Sequence, residues 1–277
     1  MSLPLTWLYV PGDREDRVPK ALRSGADVVV VDLEDAVSVG RKAAARDVAR
    51  RVLGTHDGPP ACQLRVNSVG TRWFEHDAAM VARLQGSVGV RLPKCEEPDA
   101  VAAAAEAVGD RAIHLLIESA RGLEAAYDLA RAHPRVAGIG LGEADLRADL
   151  GVTAEAGLAW ARSRIVSAAA AAGLGSPAMS VYTDVRDLDG LRTSCLVGRE
   201  LGLVGRAAIH PVQLPVIRGV FTPTPEEVSR AREVLVAAAS ATAQGAGALA
   251  LADGRFVDEA VVRQARRTMR RAGNPLV

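Results

Sequence analysis

Apolar and polar positions alternate along the chain in blocks. Short apolar runs cover residues 6–10, 28–32, 62–66, 88–92, 113–117 and 136–141, and two weaker ones follow at 178–181 and 206–209. Stretches of helical period lie between them, at 41–53, 98–108, 122–132, 154–172 and 188–201. The runs are apolar on both faces, so each reads as a parallel strand covered by helices. Eight such units over about 210 residues predict an α/β chain folded as a (β/α)8 TIM barrel. A doubly wound open sheet shares this periodicity and stays open as the alternative.

After Pro225 the rhythm changes. "PEEVSRAREVLVAAASA" predicts a helix, with Pro225 in its first turn and Glu226 and Glu227 at the positive end of its dipole. "ALALADGRFVD" sets Asp253-Gly254, a type I′ turn pair, between two strand-like runs, and a basic helix follows around 259–271. The chain thus divides into a barrel, 1–222, and a C-terminal extension, 223–277, that packs on the barrel or on a neighbouring subunit.

Polar residues gather just after the apolar runs. In order they are "PGDR" with Arg14, then Glu34 and Asp35, Arg65 and Asn67, Lys94, Glu118, Glu143 and Asp145, Tyr182 to Asp184, and His210. In a (β/α)8 barrel these positions meet on the one rim where active sites of this fold lie. A cluster of carboxylates there requires a cation, because like charges in a low-dielectric cleft raise each other's pKa. The donors are oxygens, with one histidine and no paired His/Cys spacing, so the expected ion is Mg²⁺ or Mn²⁺ rather than zinc. Glu118 and Asp145, each directly after a buried run, are the candidate ligands.

The totals narrow the field further. Of 277 residues 49% are hydrophobic and the net charge is +1, which permits a large core and gives no support to a nucleic-acid or membrane-surface partner. Cys62, Cys95 and Cys195 are widely spaced, as in a reduced, cytoplasmic protein. The opening "MSLPLTWLYV" has no export-signal pattern, and no run approaches the ~20 apolar residues that span a bilayer.

Each motif also has a plainer reading. The acids of "VVVVDLEDAV" serve either the site or a helix cap and a solvated loop. Arg65 in "CQLRVN" needs an acidic partner or an anionic substrate. Lys94 in "RLPKCEEP" suits a phosphate or carboxylate contact, or a plain surface position, better than a Schiff base. "GIGLGEADL" lacks the third glycine of a dinucleotide site. His210 is a structural or a catalytic histidine. Lys42, Arg46 and Arg50 read as a solvated helix face, and Asp258 as an N-cap.

In order along the chain, "LYVPGDREDRVPKAL", "GADVVVVDLEDAV", "LRVNSVGT", "LPKCEEP", "LIESARGL", "GLGEADLRADLG", "ARSRIVSAAAAAGL", "VYTDVRDLDGL", "AIHPVQLPVI" and "DGRFVDEAVVRQA" cover almost all of it. Together they resemble the citrate lyase beta-subunit-like branch of the HpcH/HpaI aldolase superfamily, which also holds malyl-CoA and citramalyl-CoA lyases. The resemblance implies a barrel that is trimeric or built of trimers, with Mg²⁺ and acyl-CoA and 2-oxoacid substrates. It implies metal ligands at Glu118 and Asp145, a substrate-binding arginine at Arg65 and acids behind them at Glu34 and Asp35. It also implies an acid/base, Asp258, reaching a neighbouring subunit's site. Arg14 and Lys94 are the candidates for CoA phosphates. Two departures stand out: relatives often read G-x-E-D-L where this chain has Glu143 and Ala144, and Ala260 replaces a frequent proline. The expected reaction is Claisen-type C–C cleavage of a 3-hydroxyacyl-CoA. A thioesterase, a class II aldolase on free 2-oxoacids and a non-catalytic subunit are the alternatives.

Overall fold

The computed structural model describes residues 3–85, 87–243, 249–250 and 256–273. They form two compact units, residues 5–218 and residues 1–4 with 219–277.

The larger unit opens with β1 (Thr6–Pro11), α1 (Val18–Leu22), β2 (Val28–Asp32), α2 (Lys42–Leu53), β3 (Ala61–Arg65), α3 (Arg72–Val81), β4 (Val88–Leu92) and α4 (Pro98–Ala107). It continues with β5 (Ile113–Ile117), α5 (Ala120–Glu124), α6 (Ala126–Arg131), β6 (Val136–Leu141), α7 (Glu143–Leu150), α8 (Ala159–Ala171), α9 (Leu188–Glu200) and β7 (Arg206–Ala208). The strands form one parallel sheet in the order β6-β5-β4-β3-β2-β1-β7. Consecutive strands are neighbours and β7 returns beside β1, so the sheet curls round in the TIM-barrel-like manner and the open doubly wound alternative is excluded.

The four valines of β2 and its Asp32 are all buried, which is what a central strand with helices on one face and side chains filling the other requires. Six of the eight expected strands appear where the apolar pattern puts them, and β7 is shorter than the predicted run. The seventh, at 178–181, is corrected: Met179 makes a single parallel bridge to Arg206, through Met179 N to Gly205 O and Ala207 N to Met179 O. Pro177 precedes it without an N–H to give, and four residues are too few to sustain two ladders. Two expected helices are also interrupted. The stretch 122–132 breaks at Ala125 between α5 and α6, and 154–172 begins as a 3₁₀ turn, Glu155–Leu158, before α8.

The smaller unit carries the end of α10 (Leu214–Phe221), then α11 (Pro225–Ala243), β8 (Leu249–Ala250), β9 (Phe256–Val257) and α12 (Glu259–Arg271). Strands β8 and β9 pair antiparallel, as the two runs predict, while the turn expected at Asp253-Gly254 lies outside the described residues. Ala231 and Val234 of α11 pack with Val257, Val262, Ala265 and Met269 into a core of the unit's own. Among the described residues no helix is long and apolar enough to cross a membrane.

Candidate active site

The ends of β2, β3, β4 and β5 converge on one knot of charge. Asp32, Glu34, Arg65, Lys94 and Glu118 all belong to it, although Asp32 and Glu34 are nearly fully buried and ionised groups leave water only when paired. Arg65 supplies the main pairing. Its Nε and Nη2 reach the two carboxylate oxygens of Asp32 at 2.8 and 2.5 Å, and Nη1 lies 3.1 Å from Glu34 and 3.7 Å from Asp35. The guanidinium also sits over the Tyr9 ring, 5.4 Å from its centre. The bidentate geometry fixes the plane of Arg65.

Lys94 completes the knot from β4. Its Nζ donates to Glu34 and approaches Asp35 at 3.4 Å, so this lysine is engaged by acids. Burial weighs against its charge, but Glu34, Asp35 and Glu118 outweigh that and hold the ammonium above its ordinary range. Lys94 has a left-handed backbone with φ of 53°, the one such residue other than glycine among the described residues. That strained turn aims its N–H at Glu118 Oε2, 3.1 Å away.

Glu118 follows β5 and is 4% exposed. Burial first, and then the neighbouring charge of Glu34, push its carboxyl up to about 8, and Asp145 adds to the rise. Gly142, the N-cap of α7, lets this carboxylate lie against the backbone, since a Cβ there would overlap Glu118 Oε1. Asp145 stands in the first turn of the same helix and is exposed. Glu143, whose position departs from the common pattern, turns inward. It receives Arg162 of α8 through both oxygens, at 2.8 and 2.7 Å, and that arginine is fully buried.

The backing of the knot was not evident from the sequence. Lys42 is buried rather than solvated, and its Nζ donates to the carbonyls of Leu33 and Glu34, each at 2.9 Å. Arg46 is likewise mostly buried and pairs with Asp77 at 3.1 Å. Asp77 in turn accepts from Asn67 N and Nδ2. Spacing of i, i+4 on α2 gave the pattern of a surface stripe; Arg50 is exposed as expected, while the packing of α2 against α3 covers Lys42 and Arg46.

The other candidates have local partners of their own. Arg14, on the loop after β1, pairs with Asp16 and is well exposed. His210 accepts from Val212 N through Nδ1 as the cap of a 3₁₀ turn. Asp258 belongs to the smaller unit, where its Oδ1 accepts from Val261 N as the N-cap of α12.

The HpcH/HpaI aldolase/citrate lyase family pattern matches residues 5–211. The chain belongs to that family. It is 34% identical over 273 residues to a (3S)-malyl-CoA thioesterase of Cereibacter sphaeroides, covering 96% of this chain and 93% of the relative. It is 33% identical over 302 residues to an L-malyl-CoA/beta-methylmalyl-CoA lyase of Rhodobacter capsulatus, with 96% and 93% covered. Among solved structures, CitE of Mycobacterium tuberculosis in complex with magnesium, acetoacetate and coenzyme A superposes with a TM-score of 0.81 at 33% identity, over 99% of both chains. This HpcH/HpaI member therefore stands among enzymes of acyl-CoA chemistry that include both lyases and a thioesterase.

Proposed function

We propose that the chain is a magnesium-dependent carbon–carbon lyase of a malyl-, citramalyl- or citryl-CoA-like 3-hydroxyacyl-CoA. It releases acetyl-CoA and a 2-oxoacid in a reversible Claisen-type reaction. The observation that carries this reading is Glu118: a buried rim carboxyl raised to about 8, on which the charges of both Asp145 and the fixed Arg65 act.

The residues fit a hard divalent ion. Among the described residues no group of three or more Asp, Glu, His or Cys side chains is arranged as a full metal cage. Mg²⁺ takes one or two carboxylates and completes its shell with water and substrate, so two all-oxygen ligands, Glu118 and Asp145, suffice. Mn²⁺ fits the same donors. When bound there, the ion supplies Lewis-acid polarisation of the oxoacid's carbonyl. Magnesium in CitE of M. tuberculosis supports this assignment.

The chain's own groups do the rest. Asp32 holds Arg65 rigid, so its guanidinium is preoriented toward the thioester oxygen as enolate charge develops. One such donor is worth about 10²–10³ in rate. Glu34 and Asp35 neutralise Arg65 and Lys94 from behind and keep both side chains from wandering. In the condensation direction Asp258, from a neighbouring subunit of a homotrimer or hexamer, takes the proton from the acetyl methyl. Arg14 is the phosphate contact for CoA; Lys94 joins it only by exchanging its acidic partners.

A second reading, thioester hydrolysis at the same rim, is favoured by the C. sphaeroides relative. Both are tested by incubating the protein and Mg²⁺ with acetyl-CoA plus glyoxylate, pyruvate or oxaloacetate, and resolving products by mass. A condensed hydroxyacyl-CoA supports the lyase; free CoA without a new C–C bond supports the thioesterase. The variant Glu118→Ala is expected to lose Mg²⁺-dependent turnover while still folding; normal turnover would overturn the metal assignment.

A further inference from the structure

Arginine is rare inside a barrel, and this one has two from adjacent strands. Asp32, Arg65, Arg91, His114 and Gly138 follow one another in register across β2 to β6, and residues paired this way in a parallel sheet share a face. Arg65 and Arg91 both approach the Tyr9 ring, at 5.4 and 5.8 Å from its centre. Their charges are treated differently. Arg65 is balanced by Asp32 and Glu34. Arg91 meets only an amide: Nε and Nη2 donate to Gln63 Oε1 at 3.0 and 2.7 Å. Among the described residues it has no carboxylate partner, and Nη1 has no hydrogen-bond partner.

Its neighbour on β5 is uncharged as well. His114 is held neutral, its pKa driven down to about 3 by burial first and by Arg91 second. There is also room. His114, Leu116 and Glu118 lie on alternate positions of β5, so they line the same face. Across from them on β6, a Cβ at Gly138 would come within 3.0 Å of His114 Nδ1, and Gly142 cradles Glu118. Gly140, between those two glycines and in register with Leu116, has nothing within 4 Å of where a Cβ would stand. Space is thus open over Gly140, opposite Leu116 and between the levels of Glu118 and His114, and the guanidinium without a carboxylate partner stands on the His114 level.

We propose that Arg91 recognises a second carboxylate on the 2-oxoacid, so that the enzyme selects dicarboxylic 2-oxoacids over pyruvate and glyoxylate. A half-buried guanidinium with only a neutral partner gains most from an anion, because its charge is stripped of water without a counter-charge. The acid's first carboxylate stays at the rim; its far end descends into the space beside Gly140. This inference rests on the lyase reading of the rim.

The test is the ratio of kcat/KM for oxaloacetate against pyruvate, with acetyl-CoA and Mg²⁺, in the native enzyme, Arg91→Lys and Arg91→Met. Calorimetric binding of each oxoacid to the Mg²⁺-loaded protein runs alongside. A charge-assisted contact predicts a native ratio of roughly 10 to 100, kept in part by Lys and lost in Met. A ratio taken within one variant cancels any general loss of active protein, and if Arg91→Met fails to fold, Arg91→Lys carries the comparison. A native preference for pyruvate, or a preference that survives Arg91→Met, overturns the proposal. If no oxoacid condenses with acetyl-CoA, the lyase reading fails; the binding arm then decides Arg91 alone, since equal affinity for both oxoacids would refute it.

Discussion

At the scale of single residues, Glu118 ties the site together. Its folded pKa of about 8 lies above its ordinary 4.5, so the folded state holds this proton more tightly than the unfolded chain. Stability from this group is therefore full below about pH 4.5 and is lost as the pH rises towards 8. A cation needs the carboxylate form, so Mg²⁺ binding below pH 8 releases a proton. Calorimetry in buffers of different ionisation enthalpy should show that release, with affinity rising by up to about tenfold per pH unit and levelling off near 8. Glu118→Gln should abolish both trends; an Mg²⁺ affinity independent of pH from 5 to 8 would contradict the assignment. The types and order of these residues were legible along the chain. Their pairings were not. Lys94 was readable as a phosphate or carboxylate contact or as a plain surface lysine; the left-handed turn and the two carboxylates that fix it leave no mark in "RLPKCEEP".

At the scale of elements, α7 holds the outer half of the rim. Gly142 at its N-cap lies on Glu118, Asp145 is in its first turn, and Glu143 anchors it inward to Arg162 on α8. The displaced acid of "GEADL" therefore becomes part of a buried ion pair that fixes where this helix starts. Arg162→Met strips one partner from that pair. It should cost about 3–5 kcal/mol in urea unfolding, because Glu143 is left buried and unpaired. Among molecules still folded it should weaken Mg²⁺ binding about 10- to 100-fold, as loss of a supporting partner does at metal sites. Unchanged Mg²⁺ affinity would mean that α7 is held by its other contacts. Periodicity found α8 and α9, but it missed α7, whose eight residues, EADLRADL, have no clear apolar face.

At the scale of the whole molecule, the two ends of the barrel have separate duties. Opposite the acidic rim, Asp27 accepts from Leu5 N, Thr6 N and Thr6 Oγ1 and pairs with Arg218 at 3.0 Å, fastening the start of β1. Asp27→Ala leaves these donors unsatisfied, so a loss of about 2–4 kcal/mol is expected in denaturant titration, with kcat of the folded fraction unchanged. Subunit sharing has its own test. If Asp258 serves a neighbour's rim, Asp258→Asn and Glu118→Gln proteins should each be inactive, and mixed oligomers should recover activity; mixtures that stay inactive would confine Asp258 to capping α12. The sequence by itself determined the parallel α/β alternation and which polar residues follow each strand, because burial on two faces and position after a strand are local properties written in residue order; the return of β7 beside β1, which curls the sheet, came from the tertiary structure. Only the tertiary structure decided that Lys42 backs the "DLED" loop, that the 178–181 segment makes one bridge in place of a strand, and that Arg91 lies inside without a counter-charge. Those outcomes depend on which side chains from distant segments meet, and packing and charge pairing across strands carry no signature in the spacing of any one of them.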